Sequence, residues 1–159
     1  MRAGGLRDRA ISGILLGVPD RMGGSVDLWD GWRLVLPNEC MAERNDDGSW
    51  SAWDASHTID VHIITVTGTE TGLPIDAAAM LGVASNTAGA GWTGLAEELS
   101  EPDAEGPAYR FAISAAASNT LMSCWVAYRQ PEGRAWADSV CRGIEHEPPT
   151  AKRRLFRRA

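Results

Sequence analysis

Hydrophobic and polar residues alternate most regularly along Tyr109–Ala117, where every second residue from Tyr109 to Ala115 is apolar. A period of two is typical of a strand that buries one face. Ser118 and Asn119 follow as a turn signal, and a second apolar segment, Leu121–Arg129, comes next. The pattern therefore predicts two antiparallel strands joined by a tight turn.

The segment Thr58–Thr67 is dense in β-branched residues, which favour strands because they pack well on a pleated surface. It predicts a further strand. Two Asp-Gly pairs, at residues 30–31 and 47–48, each indicate a hairpin, because both central residues of a type I′ turn need a positive φ. The strands predicted around them are Ser25–Trp29 with Trp32–Leu36 and Cys40–Arg44 with Trp50–Asp54.

Helical spacing occurs in two segments. Pro74 suits the first turn of a helix that we expect to run to about Ala84. A second predicted helix follows Gln130-Pro131-Glu132 and runs to about Ile144, with Trp136, Val140 and Ile144 recurring every four residues as an apolar stripe. Between the two helices we expect a Gly-rich connection over residues 87–94 and a weaker strand over 95–99.

This order of elements predicts an α+β fold, an antiparallel β-sheet meander with two helices packed on it. The strand Trp32–Leu36 ending at Pro37, which cannot donate to a ladder, and the amphipathic helix after a two-strand meander resemble the PsbP-like family. The resemblance spans most of residues 25–146. It implies a binding, adaptor or accessory role, and it transfers no functional residue by position.

The chain is long enough for one domain with its own core, predicted at residues 23–147, between an N-terminal arm over 1–22 and a basic C-terminal tail over 148–159. Residues 22–151 hold six arginines and nineteen carboxylates, a net charge of −13. So acidic a surface repels nucleic acid, and any contact with a polyanion falls to the tail KRRLFRR. The apolar segment 11–18 is too short for a membrane span.

Three widely spaced cysteines, Cys40, Cys124 and Cys141, argue against a disulfide framework and favour a reducing compartment, so we expect a cytoplasmic protein. We also expect a bacterial source. The histidines and cysteines show none of the spacings typical of zinc sites, so we expect no metal and no cofactor. The alternation of Cys124 with Met122 and Val126 favours a small core residue over a reactive thiolate.

Two motifs suggest chemistry. Gly89, Gly91 and Gly94 match GxGxxG, but a dinucleotide site needs a strand before the motif and a helix after it, so we interpret the segment as a flexible connection. Asp60 and His62 alternate onto one side of their strand, where a carboxylate can orient an imidazole as a base. No serine lies in a nucleophile-elbow sequence, and a solvent-side polar pair is the preferred interpretation.

The carboxylates Glu97, Glu98, Glu101, Asp103 and Glu105 lack a calcium-loop pattern and are interpreted as a solvated loop.

Seven tryptophans are the most informative residues in the composition. Trp125 and Trp136 are predicted to lie in the core. Trp29 and Trp32 flank a two-residue turn and are expected to pair across it on one face. Trp50 and Trp53 are three apart on a strand, so they point to opposite faces and a sheet with one buried face cannot hide both. The candidate binding residues are therefore Trp29, Trp32, Trp50 and Trp53.

We therefore expect a non-enzymatic protein-interaction domain of accessory, adaptor or immunity type, which forms a homodimer or binds a protein partner. The alternative is a small-ligand or lipid-binding module with a tryptophan-lined cleft between sheet and helices. A hydrolase that uses Asp60, His62 and a nearby serine or cysteine is the third interpretation.

Overall fold

The computed structural model describes residues 18–81 and 85–148, which form nine strands and two short helices. The strands are β1 (Asp20–Asp27), β2 (Trp32–Arg44), β3 (Trp50–Trp53), β4 (His57–Thr65), β5 (Thr87–Gly89), β6 (Trp92–Ser100), β7 (Tyr109–Ala117), β8 (Thr120–Tyr128) and β9 (Ile144–His146). The helices are α1 (Ala77–Met80) and α2 (Gly133–Arg142).

Eight strands form one curled antiparallel sheet, a half-barrel, in the order β1-β2-β3-β4-β8-β7-β6-β5. Strands make up 56% of the described residues and helices 11%, so the predicted α+β fold is wrong and the protein is mainly β. The physical reason is that the sheet curls and buries its inner face largely against itself. Only α2 adds a substantial helical surface, because α1 is one turn long.

The inner face holds the core. Every second residue of β8 from Thr120 is buried, as are Trp50 and Ala52 on β3 and Ile59 and Val61 on β4. Helix α2 packs on this face through Ala137 and Val140, which are fully buried. The predicted second helix is thus confirmed, although it ends at Arg142 and Ile144 begins β9.

Strand β2 is the longest strand, and it does not end at Pro37 as predicted. The pairing of β1 with β2 shifts register between Met22 and Gly24, which lie opposite Cys40 and Leu36. Pro37 lies within that irregularity, where its missing N–H costs no regular ladder bond. The Arg44 guanidinium lies 4.9 Å from the centre of the Trp29 ring, so the β1–β2 hairpin folds back on itself.

Strand β9 joins distant parts of the sheet. It pairs with Trp32–Leu34 of β2, and the His146 N–H donates to the Ala90 carbonyl oxygen in the β5–β6 turn at 2.8 Å. We call the two contacts of Ile144–His146, with β2 and with the β5–β6 turn, the β9 seam. The GxGxxG segment is therefore part of a β-hairpin and not the flexible connection we predicted, with Gly91 at a φ of 83°. A Cβ on Gly91 would meet the His146 carbonyl oxygen, which explains the glycine.

The predicted first helix is reduced to α1, and residues 82–84 at its predicted end lie outside the described residues. Asp76 caps α1, and Ala77 packs on Ala116 at one end of the outer face of β7. Strand β1 begins at Asp20, so residues 20–22 of the predicted arm belong to the sheet. Residues 1–17 and the tail from residue 149 lie outside the described residues. No helix within 18–81 and 85–148 is long and apolar enough to cross a membrane.

Candidate functional site

The outer face of the sheet, the side away from α2, carries two half-buried tryptophans. Trp53 on β3 lies opposite Met41 of β2 and Thr58 of β4. Trp125 on β8 lies opposite Asp60 of β4. The predicted opposite orientation of Trp50 and Trp53 is confirmed, because Trp50 is fully buried while Trp53 is partly exposed. We call the area around these two side chains the Trp53–Trp125 surface.

Trp125 is held in place from two sides. Its Nε1–H donates to Ser123 Oγ at 2.9 Å, and the guanidinium carbon of Arg110 lies 4.8 Å from the centre of its ring. A guanidinium over an indole is attracted by the negative face of the ring. The prediction that Trp125 lies in the core is wrong, because Cys124 takes the inner face of β8 and strand alternation turns its neighbour outward.

A groove of about 700 Å³ lies beside Trp125 at one end of the outer face. Its floor includes Thr58, Ala127, Arg110 and Trp125. The β3–β4 turn over residues 54–56, with His57 at the start of β4, forms one side. Leu99 near the end of β6 and residues 101–103 of the β6–β7 loop contribute to the lining. The groove thus combines an aromatic floor with two exposed arginines, Arg110 and Arg129.

The β3–β4 turn is fixed by a carboxylate and an imidazole. His57 Nδ1 lies 2.9 Å from both oxygens of Asp54, and the His57 ring stacks on Trp136 of α2 with centroids 4.1 Å apart. Burial opposes ionisation of Asp54, but hydrogen bonds from His57, the Ser56 N–H and Asn38 outweigh it and lower the pKa of the carboxyl group. This pair therefore holds one wall of the groove in place.

Trp136 is half-buried at this junction, so its predicted place in the core is only partly right. Its Nε1–H donates to Asn38 Oδ1 at 2.5 Å, and Asn38 in turn donates to Asp54 Oδ2. Within the part of the chain that the structure describes, no serine hydroxyl or thiol hydrogen bonds to His57. The geometry is that of a structural link between α2 and the β3–β4 turn.

The opposite side of the groove is fixed by an ion pair. Arg129 donates to both oxygens of Asp103, at 2.9 and 2.7 Å, and it also lies 3.1 Å from Glu105. The hydrogen bond from Arg129 lowers the pKa of Asp103 to about 2. The carboxylates predicted to form one solvated cluster are thus divided among partners, because Glu98 pairs with Arg134.

The other predicted binding residues lie elsewhere. Trp32 is 1% exposed, and its Nε1–H donates to Thr120 Oγ1 at 2.9 Å inside the core. Trp29 is half-buried beneath Arg44. The two do not form the predicted symmetric pair, because the Trp32 carbonyl oxygen accepts from the Leu28 N–H and Leu28 takes the position across from Trp32. Trp50 lies fully within the core.

Asp60 and His62 do share the outer face, as predicted, but Asp60 accepts a hydrogen bond from Ser51 Oγ at 2.7 Å.

Burial raises the pKa of the Cys124 thiol well above its usual value, with Cys141 and Asp60 adding to the shift. Burial, and then Asp138, raises the pKa of Cys141 to about 12. Both thiols therefore stay protonated near neutral pH. Within residues 18–81 and 85–148, no group of three or more histidines, cysteines or carboxylates is arranged to hold a metal ion.

Arg110 and the Asp54–His57 pair were missed from the sequence, although a signal for Arg110 was present. The Ser118-Asn119 turn fixes the register of β7 against β8 and places Arg110 opposite Ala127, two residues from Trp125 on the same face. Alternation along β7 also turns Arg110 away from the core.

No family model matches the chain, and none of the curated proteins matches it. A crystal structure of a protein from Bacteroides thetaiotaomicron VPI-5482 is similar, with a TM-score of 0.59 at 10% sequence identity. The match covers 80% of this chain and 50% of that protein, so this chain spans about half of its length. The similarity shows the fold alone. It does not test the PsbP-like resemblance, whose implied α+β architecture is corrected above.

Proposed function

We propose that this chain is a non-enzymatic interaction domain that binds a protein partner through the Trp53–Trp125 surface. The observation that carries the proposal is that two tryptophans lie partly exposed on the outer face, at the end away from α1. Tryptophan is enriched at the centres of protein interfaces because a large rigid ring buries much area at little entropic cost. The accessory, adaptor and immunity roles expected from the sequence all use such a surface.

The chemistry of the reactive side chains supports a binding role over a catalytic one. The Cys124 and Cys141 thiols are protonated and buried, and a nucleophile must be ionised and accessible. The imidazole of His57 is engaged by Asp54 and stacked on Trp136. Three free cysteines support the proposed cytoplasmic location, where thiols stay reduced.

The partner is another protein or a second copy of this chain, and charge favours another protein. Residues 18–148 hold seven arginines and twenty carboxylates, a net charge of −13. Two such surfaces repel each other, whereas a partner of lower or opposite charge docks without that cost. Light scattering after gel filtration separates the two: a monomeric mass removes the homodimer.

A photo-crosslinking residue placed at Thr58 tests the proposal in the native host. Thr58 is exposed and lies directly opposite Trp53 on the outer face. We expect a discrete crosslinked protein from Thr58 and its loss when Trp53→Ala is added. Glu132, exposed before α2, is the matched control position and is expected to give no such product. No crosslink at Thr58, or equal crosslinking at both positions, contradicts the proposal.

A second candidate, binding of a small ligand, is favoured by the size of the groove beside Trp125. Its volume of about 700 Å³ falls within the range of about 300–1,000 Å³ that is typical of small-molecule sites. The site is not the cleft between sheet and helices expected from the sequence, since Ala137 and Val140 of α2 are fully buried against the sheet. The same groove serves both candidates.

A further inference from the structure

The arginines of the described residues fall into two groups. Five of the seven lie within 4.0 Å of a carboxylate: Arg21, Arg33, Arg129, Arg134 and Arg142. Arg44 and Arg110 make no ion pair within residues 18–81 and 85–148, and each lies over a tryptophan ring instead. Arg44 is half-buried at the folded-back hairpin, whereas Arg110 is exposed and lines the groove. Arg110 is therefore the cation available to a ligand there.

Trp125 prepares Arg110 for this role. The Arg110 guanidinium carbon lies over the indole, 4.8 Å from the ring centre, and the guanidinium N–H groups make no hydrogen bond or ion pair within the described residues. A guanidinium binds a carboxylate through two parallel hydrogen bonds, which makes the pair directional as well as strong. The contact with the indole restricts the Arg110 side chain in advance, so less entropy is lost when a carboxylate binds.

The carboxylates on the two sides of the groove do not compete for Arg110. Asp54 already accepts hydrogen bonds from Asn38, from two backbone N–H groups and from His57. Asp103 is held by both terminal nitrogens of Arg129. Apolar groups also line the groove, contributed by Leu99, Ala108 and Ala127.

We propose that this groove binds a carboxylate carried on an apolar or aromatic group, with Arg110 holding the carboxylate and Trp125 contacting the apolar part. The site rests on the proposed function, because it names the chemistry by which the Trp53–Trp125 surface recognises its ligand. The carboxylate comes from the end or an acidic side chain of a partner protein, or from a free small acid. The chemistry at Arg110 is the same for both sources.

Phenylacetate and its neutral isostere phenylacetamide test the site in the full chain. Nuclear magnetic resonance follows the Trp125 indole N–H signal, which is assigned by its loss in Trp125→Phe. We expect the acid to shift this signal saturably and to bind at least about tenfold more tightly than the amide, since a hydrogen bond between two charged groups is stronger than one to a neutral amide. Equal affinity for acid and amide overturns the proposal.

Substitutions separate Arg110 from general charge effects. Arg110→Gln is expected to weaken phenylacetate binding at least about tenfold and to leave phenylacetamide binding unchanged, with an otherwise native spectrum. Arg142→Gln removes the same charge from an exposed ion pair at the end of α2 and is expected to bind the acid as the wild type does. Unchanged acid binding by Arg110→Gln overturns the proposal, as does equal loss in both variants.

A peptide identifies the source of the carboxylate. Acetyl-Ala-Ala-Phe with a free C-terminus is compared with phenylacetate, and an affinity at least about tenfold higher for the peptide assigns the site to a partner chain, while equal affinities assign it to small acids. The crosslinking result and the acid-selectivity result test different proposals, and each can fail without the other. A crosslink at Thr58 without acid selectivity removes only the carboxylate site, and acid selectivity without a crosslink removes only the protein partner.

Discussion

The inner and outer faces of the sheet use the same residue type in different ways. Trp32 and Trp50 on the inner side are at most 1% exposed and pack within the core, where Trp32 donates its Nε1–H to Thr120. Trp53 and Trp125 on the outer side remain partly exposed, and Trp125 is supported by Arg110 rather than by apolar packing. The number of tryptophans therefore says little about function until each is assigned to a face.

The largest expected difference between the faces is in stability. Trp50→Ala removes a fully buried ring and is expected to lower the free energy of unfolding by about 3–5 kcal/mol, because it loses burial and leaves a cavity. Trp53→Ala is expected to lower the free energy of unfolding by about 1 kcal/mol or less, because the ring is partly exposed and its removal leaves a site open to solvent. Urea denaturation followed by circular dichroism measures both. Similar losses for the two variants would remove the distinction between the faces.

A substitution at the β9 seam is expected to cause an intermediate loss of stability. Gly91→Ala is expected to lower the free energy of unfolding by about 2–4 kcal/mol, because the new methyl meets the His146 carbonyl oxygen and the residue must also keep a positive φ. Gly48→Ala is the matched control. Gly48 has a φ of 85° and open space around its Cβ position. Its replacement by alanine therefore costs only the energy of holding a residue with a Cβ at a positive φ, about 1–2 kcal/mol. Equal losses in urea denaturation would show that the contact with His146 does not matter.

The smallest effect is expected at the rim of the groove. The lowered pKa of Asp103 means that its contribution to stability is complete above the ordinary value of 3.8 and is lost as the pH falls toward about 2. Titration of the Asp103 carboxyl carbon by nuclear magnetic resonance should give a midpoint near 2. Arg129→Gln should move that midpoint up toward 3.8, while the Asp54 midpoint stays in place. An unmoved Asp103 midpoint would contradict the role given to Arg129.

Local elements with a strong period could be predicted from the sequence. Strand β7 matches Tyr109–Ala117 at both ends, β4 and β8 match within two residues, and of the predicted apolar stripe Val140 does pack on the sheet from α2. The predictions for these segments are correct because alternation and helical spacing reflect which face is buried, and burial dominates the free energy of folding. Cys124 likewise lies in the core, as its neighbours indicated.

The curl of the sheet could not be predicted in this way. The segment 87–94 has the composition of a loop, yet it forms a hairpin because Gly91 packs against His146, more than fifty residues later in the chain. Pro37 lies inside β2 because the register shift opposite it is a property of the β1–β2 pair. The candidate site depends on the same distant pairings: Arg110, Trp125 and Asp54 meet only when β3, β4, β8 and β7 are in register.

The β9 seam also bears on the order in which the molecule folds. Its three residues contact β2 and the β5–β6 turn, more than one hundred and more than fifty positions earlier in the chain. Contacts over such separations close large loops and form after the local hairpins. Interactions absent from the folding transition state act mainly on the rate of unfolding. The seam therefore governs how long the native state persists, while the hairpins β7–β8 and β3–β4 govern how fast it is reached.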